Sequence, residues 1–149
     1  GLRPASAGLI AAAGFAVVAC DDRPGTLTPE WVPGVYDRRL VDYKNLDELC
    51  PIGPRDLVVV ATAGHKSDID VVIQAMRAKP AYLGCLGSRR KTAFVRARLE
   101  QEGFTQEQID GLPLPIGVAI EAEDPEEIAI SIAAEMIHLR RTKLVPRKR

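Results

Sequence analysis

The segment "GCLGSRRK", residues 84–91, sets Gly84, Gly87 and Ser88 ahead of three cations, Arg89, Arg90 and Lys91. It lies between the apolar "AYL" and the helix-compatible "TAFVRARLEQEG". A helix start offers N–H groups that lack intrahelical partners, together with partial positive charge. Glycines let a ligand approach the backbone. Ser88 either caps the helix or bonds a phosphate oxygen, Arg89 suits bidentate contact with phosphate, and Lys91 is a point charge. Without a counter-anion, cations in a first turn cost a few tenths to about 1 kcal/mol each. The pattern points to an anion site, with a tight turn and solvated arginines as the alternative.

Three other polar loops carry groups of the same kind. "CDDRPG" at 20–25 supplies Asp21, Asp22 and Arg23. "TAGHKSDID" at 62–70 supplies Thr62, His65, Lys66 and Asp68. "PIGVAIEAED" at 115–124 supplies Gly117. Asp68 suits the N-cap of a following helix. His65 is a proton carrier, an anion ligand or simply a surface histidine. Cys85 within the first segment is either a reactive thiol near cations or a small core residue.

These loops need elements that bring them to one rim. "FAVVAC" at 15–20 and "LVVVAT" at 57–62 read as buried strands, and Ala81–Leu83 as a short third one. Val35–Tyr43 holds a weak strand and Asn45–Cys50 a short helical patch. Ala5–Ala13 is helix-compatible. Ile69, Val72, Ile73 and Met76 give helical spacing over Asp68–Ala78. Thr92–Gly103 is an amphipathic helix capped by Gly103. The last helix has Asp124 as N-cap, Pro125 at its first position and Glu126 and Glu127 in its first turn. Continuously apolar strands separated by helices indicate an α/β, mostly parallel sheet covered on both faces, with ligands beyond the carboxyl ends of the strands.

The 149 residues suit one domain, residues 1–139, followed by a basic tail at 140–149 expected to be disordered. Formal net charge is zero, which argues against nucleic acid and membrane surfaces as partners. No stretch approaches the ~20 apolar residues of a membrane span. The three cysteines, Cys20, Cys50 and Cys85, have no metal-like spacing, and their sparseness suits a reducing, cytoplasmic setting. Cys20 is expected in the core.

"GFAVVACDD" resembles the second strand of a Rossmann-like dinucleotide-binding fold, a three-layer sandwich, with Asp21 or Asp22 placed to accept from a ribose hydroxyl. The glycine fingerprint should lie ~20 residues upstream. The expectation is therefore that a first strand and its glycine loop precede Gly1 in the intact protein. "GFAVVACDDRPG", "RDLVVVATAGHKSD", "AYLGCLGSRRKTAFVRARLEQEGFT" and "PIGVAIEAEDPEEIAISIAAEMI" together resemble the C-terminal Rossmann domain of the xanthine dehydrogenase accessory protein family, XdhC/CoxI type. The resemblance implies a chaperone rather than a catalyst of substrate turnover. Such a protein binds the molybdenum cofactor, supports its sulfuration and delivers it to xanthine dehydrogenase or a related molybdenum hydroxylase. A cysteine desulfurase and a second copy of the chain are the further partners implied.

The positions carried over as cofactor-binding are Asp21, Asp22, Arg23, Thr62, His65, Gly84, Gly87, Ser88, Arg89, Arg90 and Gly117. No metal ligand is among them. Where relatives commonly read like "PIGLDIG", this chain has Ala119 and Glu121 in place of an acid and a glycine. NAD(P) would use the same groups. An NAD(P)-dependent oxidoreductase, with His65 and Tyr82 as proton donors, and a nucleotide-sensing domain are therefore the other functions open to the sequence.

Overall fold

The computed structural model describes residues 7–62 and 65–144. These residues fall into two compact units. The first comprises Cys20–Asp22 and Leu40–Ile116; the second comprises 7–19, Arg23–Arg39 and 117–144.

The first unit is built on a strand–helix–strand–helix run. β3 (Leu57–Val60) leads into α2 (His65–Ala78), β4 (Tyr82–Cys85) and α3 (Arg89–Gln101). β3 and β4 are parallel, with Leu57 opposite Tyr82 and Val60 opposite Cys85. Parallel neighbours require a crossover, and α2 supplies it. The amphipathic spacing holds: Ile69, Val72 and Ala75 of α2 are buried, as are Val95 and Leu99 of α3. They form one core with Val60, Leu83, Cys85, Ile109 and Leu112. The other edge of β4 is also used. Cys85 N donates to Pro113 O (3.3 Å) and Ile116 N donates to Cys85 O (3.1 Å). The Leu114–Pro115 peptide within that segment is cis.

Helix ends follow the local chemistry. After α3, Gly103 takes φ +91°, Phe104 N reaches Leu99 O and Gly103 N reaches Glu100 O, which together close a Schellman motif. The short α4 (Gln106–Asp110) was not expected from apolar spacing. Its signal is the capping box of Thr105 and Gln108, with Gln108 N donating to Thr105 Oγ1 (3.1 Å) and Thr105 N donating to Gln108 Oε1 (2.8 Å).

In the second unit α1 (Ala7–Ala12) packs on α5 (Pro125–Leu139). Glu127 Oε1 accepts from Asp124 N (2.9 Å) and Glu123 N (3.1 Å), and these bonds hold its carboxyl below the usual range. Ala129, Ile132, Ala133 and Met136 are buried. Residue 140 is not the start of a loose tail. Arg140–Leu144 continue as a π-helical turn, and Arg140 donates to Ala13 O (3.0 Å) with its guanidinium 4.3 Å from the Phe15 ring. Residues 145–149 lie outside the described residues.

β1 (Val18–Asp21) pairs with β2 (Asp37–Leu40). Tyr36 N bonds Val17 O and Val41 N bonds Asp21 O, so the two strands run in the same direction. Among the described residues β1–β2 and β3–β4 are separate two-stranded sheets. The expected buried strand is therefore corrected: Val18 is exposed and the rest of β1 half-buried. No helix among the described residues is long and apolar enough to cross a membrane.

Glu121 carries a local strain. Its φ is +58°, a region that disfavours residues with a Cβ. Glu121→Gly is expected to raise stability by about 0.5–1 kcal/mol, the left-handed penalty less the glycine's added unfolded-state entropy. A urea-denaturation midpoint that stays put or falls would show that position 121 bears no such strain.

Candidate functional site at the carboxyl ends of β3 and β4

The centre of the first unit's rim is a buried ion pair. Asp68 is fully buried, and its Oδ1 accepts from Thr62 N (2.9 Å) and Thr62 Oγ1 (2.7 Å). The Lys91 ammonium closes on Asp68 Oδ2, with only 14% of the lysine side chain exposed. Two expectations change. Asp68 is not the N-cap, since α2 already begins at His65; its carboxylate instead reaches back to hold the end of the β3–α2 connection. Lys91 does not point outward as a charge for a ligand. It turns inward because a buried carboxylate demands a partner cation.

The glycines of "GCLGSRRK" make room for the chain itself. A Cβ on Gly84 would lie 2.6 Å from Ile116 Cδ1, and one on Gly87 would lie 2.5 Å from Lys91 Cδ. Ile116 and the lysine stem occupy the space that a side chain at either position would need. Gly84 and Gly87 therefore shape the turn, letting the 113–116 segment lie against β4 and letting Lys91 reach Asp68.

Ser88 is the N-cap of α3: its backbone is extended and its Oγ accepts from Lys91 N (3.3 Å). The hydroxyl hydrogen remains available to donate. Ser88, Arg89 and Arg90 are exposed, the first turn holds no acid, and no carboxylate pairs with either arginine among the described residues. Cys85, the last residue of β4, is 1% exposed. Burial foremost, and then the Asp68 charge, push its thiol up to about 11, against the opposing pull of Lys91. It is a core residue, and the reactive-thiol alternative does not hold.

The remaining expected residues divide between the units. Asp21 ends β1 half-buried and Asp22 follows it exposed, both in the first unit. Thr62 is committed to Asp68. His65 opens α2, and its side chain lies outside the described residues. Arg23 and Gly117 belong to the second unit. Gly117 has φ +105°, its N–H donates to Glu135 Oε2 (2.9 Å), and a Cβ there would lie 2.5 Å from Ser131 Oγ. Its N–H is thus engaged by α5. No cluster of three or more metal-ligating side chains occurs among the described residues.

A parallel β–α–β–α run with such a rim has close counterparts. The family model for the XdhC Rossmann domain matches residues 3–136. The chain belongs to this family. A solved structure of a xanthine dehydrogenase from Bacillus halodurans superposes on the XdhC domain with a TM-score of 0.80 at 29% identity, covering 94% of this chain and 40% of that one. The α/β, Rossmann-like fold follows from both. A probable xanthine dehydrogenase subunit from Bacillus subtilis (strain 168) is 31% identical over 135 residues, 91% of this chain and 39% of that protein. The molybdenum cofactor insertion chaperone PaoD of Escherichia coli (strain K12) is 28% identical over 105 residues, 70% of this chain and 33% of PaoD. The uncharacterised YqeB of the same organism is 31% identical over 128 residues, 85% of this chain and 23% of YqeB. The XdhC domain thus spans well under half the length of these relatives.

Proposed function

We propose that this XdhC domain is the cofactor-binding part of an accessory protein. That protein holds the molybdenum cofactor, supports its sulfuration and passes it to a molybdenum hydroxylase of the xanthine dehydrogenase type. The observation that carries the reading is the β4–α3 turn. Arg89 and Arg90 are exposed and uncompensated at a helix N-terminus that also offers Ser88 Oγ. In the described structure their own backbone N–H groups precede the first capped one, that of Lys91. The molybdenum cofactor carries a phosphate on its pterin, and such a donor set suits a phosphate. PaoD, which is named for cofactor insertion, supports the choice of this cargo.

In this reading Arg89, Arg90 and Ser88 bind the phosphate, while Gly84, Gly87, Thr62 and the Asp68–Lys91 pair hold the turn in shape. Asp21 ends β1, Asp22 follows it and His65 opens α2; in this reading they would meet the pterin or a nucleotide extension. Arg23 and Gly117 belong to the second unit and carry no part of this site. A cysteine desulfurase as sulfur source, a homodimeric assembly and a cytoplasmic setting complete the proposal.

A second reading rests on Asp21. An acid at the end of β1 suits a ribose hydroxyl, and so NAD(P) as ligand. The test is equilibrium binding to the full-length protein, with the molybdenum cofactor and NAD(P) as separate ligands and Arg89 and Arg90 replaced by alanine. Loss of cofactor affinity supports the first reading; tight binding of NAD(P) alone moves the assignment to the second.

A further inference from the structure

Cys20 and Cys50 are 30 residues apart in sequence, yet their sulfurs are 3.1 Å apart, with the Cys20 thiol donating to the Cys50 sulfur. Both are half-buried and no disulfide joins them. Neither rides on a loose end. Cys20 lies in β1, and the next residue, Asp21, is held by Val41 N (2.9 Å). Cys50 follows the 3-10 turn Leu46–Glu48, its own N–H bonded to Leu46 O (2.7 Å), and precedes Pro51. A disulfide needs its sulfurs about 2.05 Å apart, so roughly 1 Å of closure makes the bond. Cys20 also packs against the core of the first unit, as expected of it.

We propose that Cys20 and Cys50 form a reversible dithiol–disulfide pair, a redox modification site at the carboxyl end of β1. The oxidant is a low-molecular-weight disulfide. One cysteine of the pair loses its proton and attacks a sulfur of the oxidant, expelling one small thiolate and leaving a mixed disulfide. The thiolate of the other cysteine then attacks the protein sulfur of that adduct and expels the second small thiolate. Two protein thiols are oxidised, one small disulfide is reduced to two thiols, and the two cysteine protons end on them. The bridge ties the strand end that carries Asp21 and Asp22 to the loop between the 3-10 turn and β3. Access differs sharply for the third cysteine: Cys85 is buried with its thiol held mostly protonated.

The test exposes the full-length reduced protein to oxidised glutathione, then maps its peptides by mass spectrometry after alkylation. The expected result is loss of two of the three thiols of this chain, as one peptide pair joined through Cys20 and Cys50 and lighter by two hydrogens. Dithiothreitol reverses it, and Cys85 stays reduced throughout. In Cys50→Ser no intramolecular bridge forms and Cys20 retains glutathione. Three unchanged thiols, stable glutathione adducts on the wild-type protein, or bridges between two copies of the chain would each overturn the proposal.

Discussion

Lys91→Met is expected to lower unfolding stability by about 3–5 kcal/mol, the range found when one partner of a buried ion pair is removed. Methionine keeps the aliphatic stem that covers Gly87, so the loss isolates the charge. Asp68 is left fully buried with its Oδ1 still bonded to Thr62 and its Oδ2 facing no cation. Asp68→Asn alone is also destabilising, because its new NH2 group faces either the ammonium or the two Thr62 donors. The pair replaced together, Asp68→Asn with Lys91→Met, should recover ~2 kcal/mol of the summed single losses, since neighbouring groups in one network are not additive. Urea denaturation of the four proteins measures the coupling. Additive losses would show that Lys91 and Asp68 act independently, contrary to the geometry.

Gly117→Ala is expected to cost about 2–4 kcal/mol, combining backbone strain with overpacking. Its φ of +105° lies where a Cβ is unfavourable, and that Cβ would lie 2.5 Å from Ser131 Oγ. Ser131 cannot yield cheaply: it is 4% exposed and donates to Ile128 O (2.7 Å). Adding Ser131→Ala removes the clash but leaves the strain, so the double variant should regain part of the loss. Thermal melts of the two variants separate the terms. A Gly117→Ala protein as stable as the wild type would remove the conformational reason for glycine here and return the position to direct ligand contact.

The β3–α2–β4–α3 run was legible because its signals are local. A continuous apolar run marks β3, and buried positions three and four apart mark α2 and α3. Gly103 and Pro125 punctuate as their backbone preferences require. The α5 cap was legible for the same reason, since Asp124 and Glu127 act within one turn. What was not legible depends on partners distant in the chain. Nothing near Lys91 says that it turns towards Asp68, and no spacing rule brings Cys20 to Cys50. Gly84 and Gly87 illustrate a subtler limit. Glycine in a turn beside cations reads as room for a ligand, but glycine also marks close packing, and only the positions of Ile116 and the Lys91 stem distinguish the two. β1 read as buried because its residues are apolar, whereas burial depends on how many strands and helices cover it.

Removing Lys91 from the surface leaves Arg89, Arg90 and Ser88 as the exposed donors of the turn, which sharpens the central claim. Charge-assisted hydrogen bonds at an exposed turn contribute about 1 kcal/mol each. The most direct measurement is the affinity of the full-length protein for the molybdenum cofactor, compared with Arg89→Ala/Arg90→Ala at one fixed ionic strength. The account predicts roughly thirty-fold weaker binding, equal to about 2 kcal/mol, with an unfolding midpoint close to that of the wild type. Equal affinity in a folded double variant would contradict it.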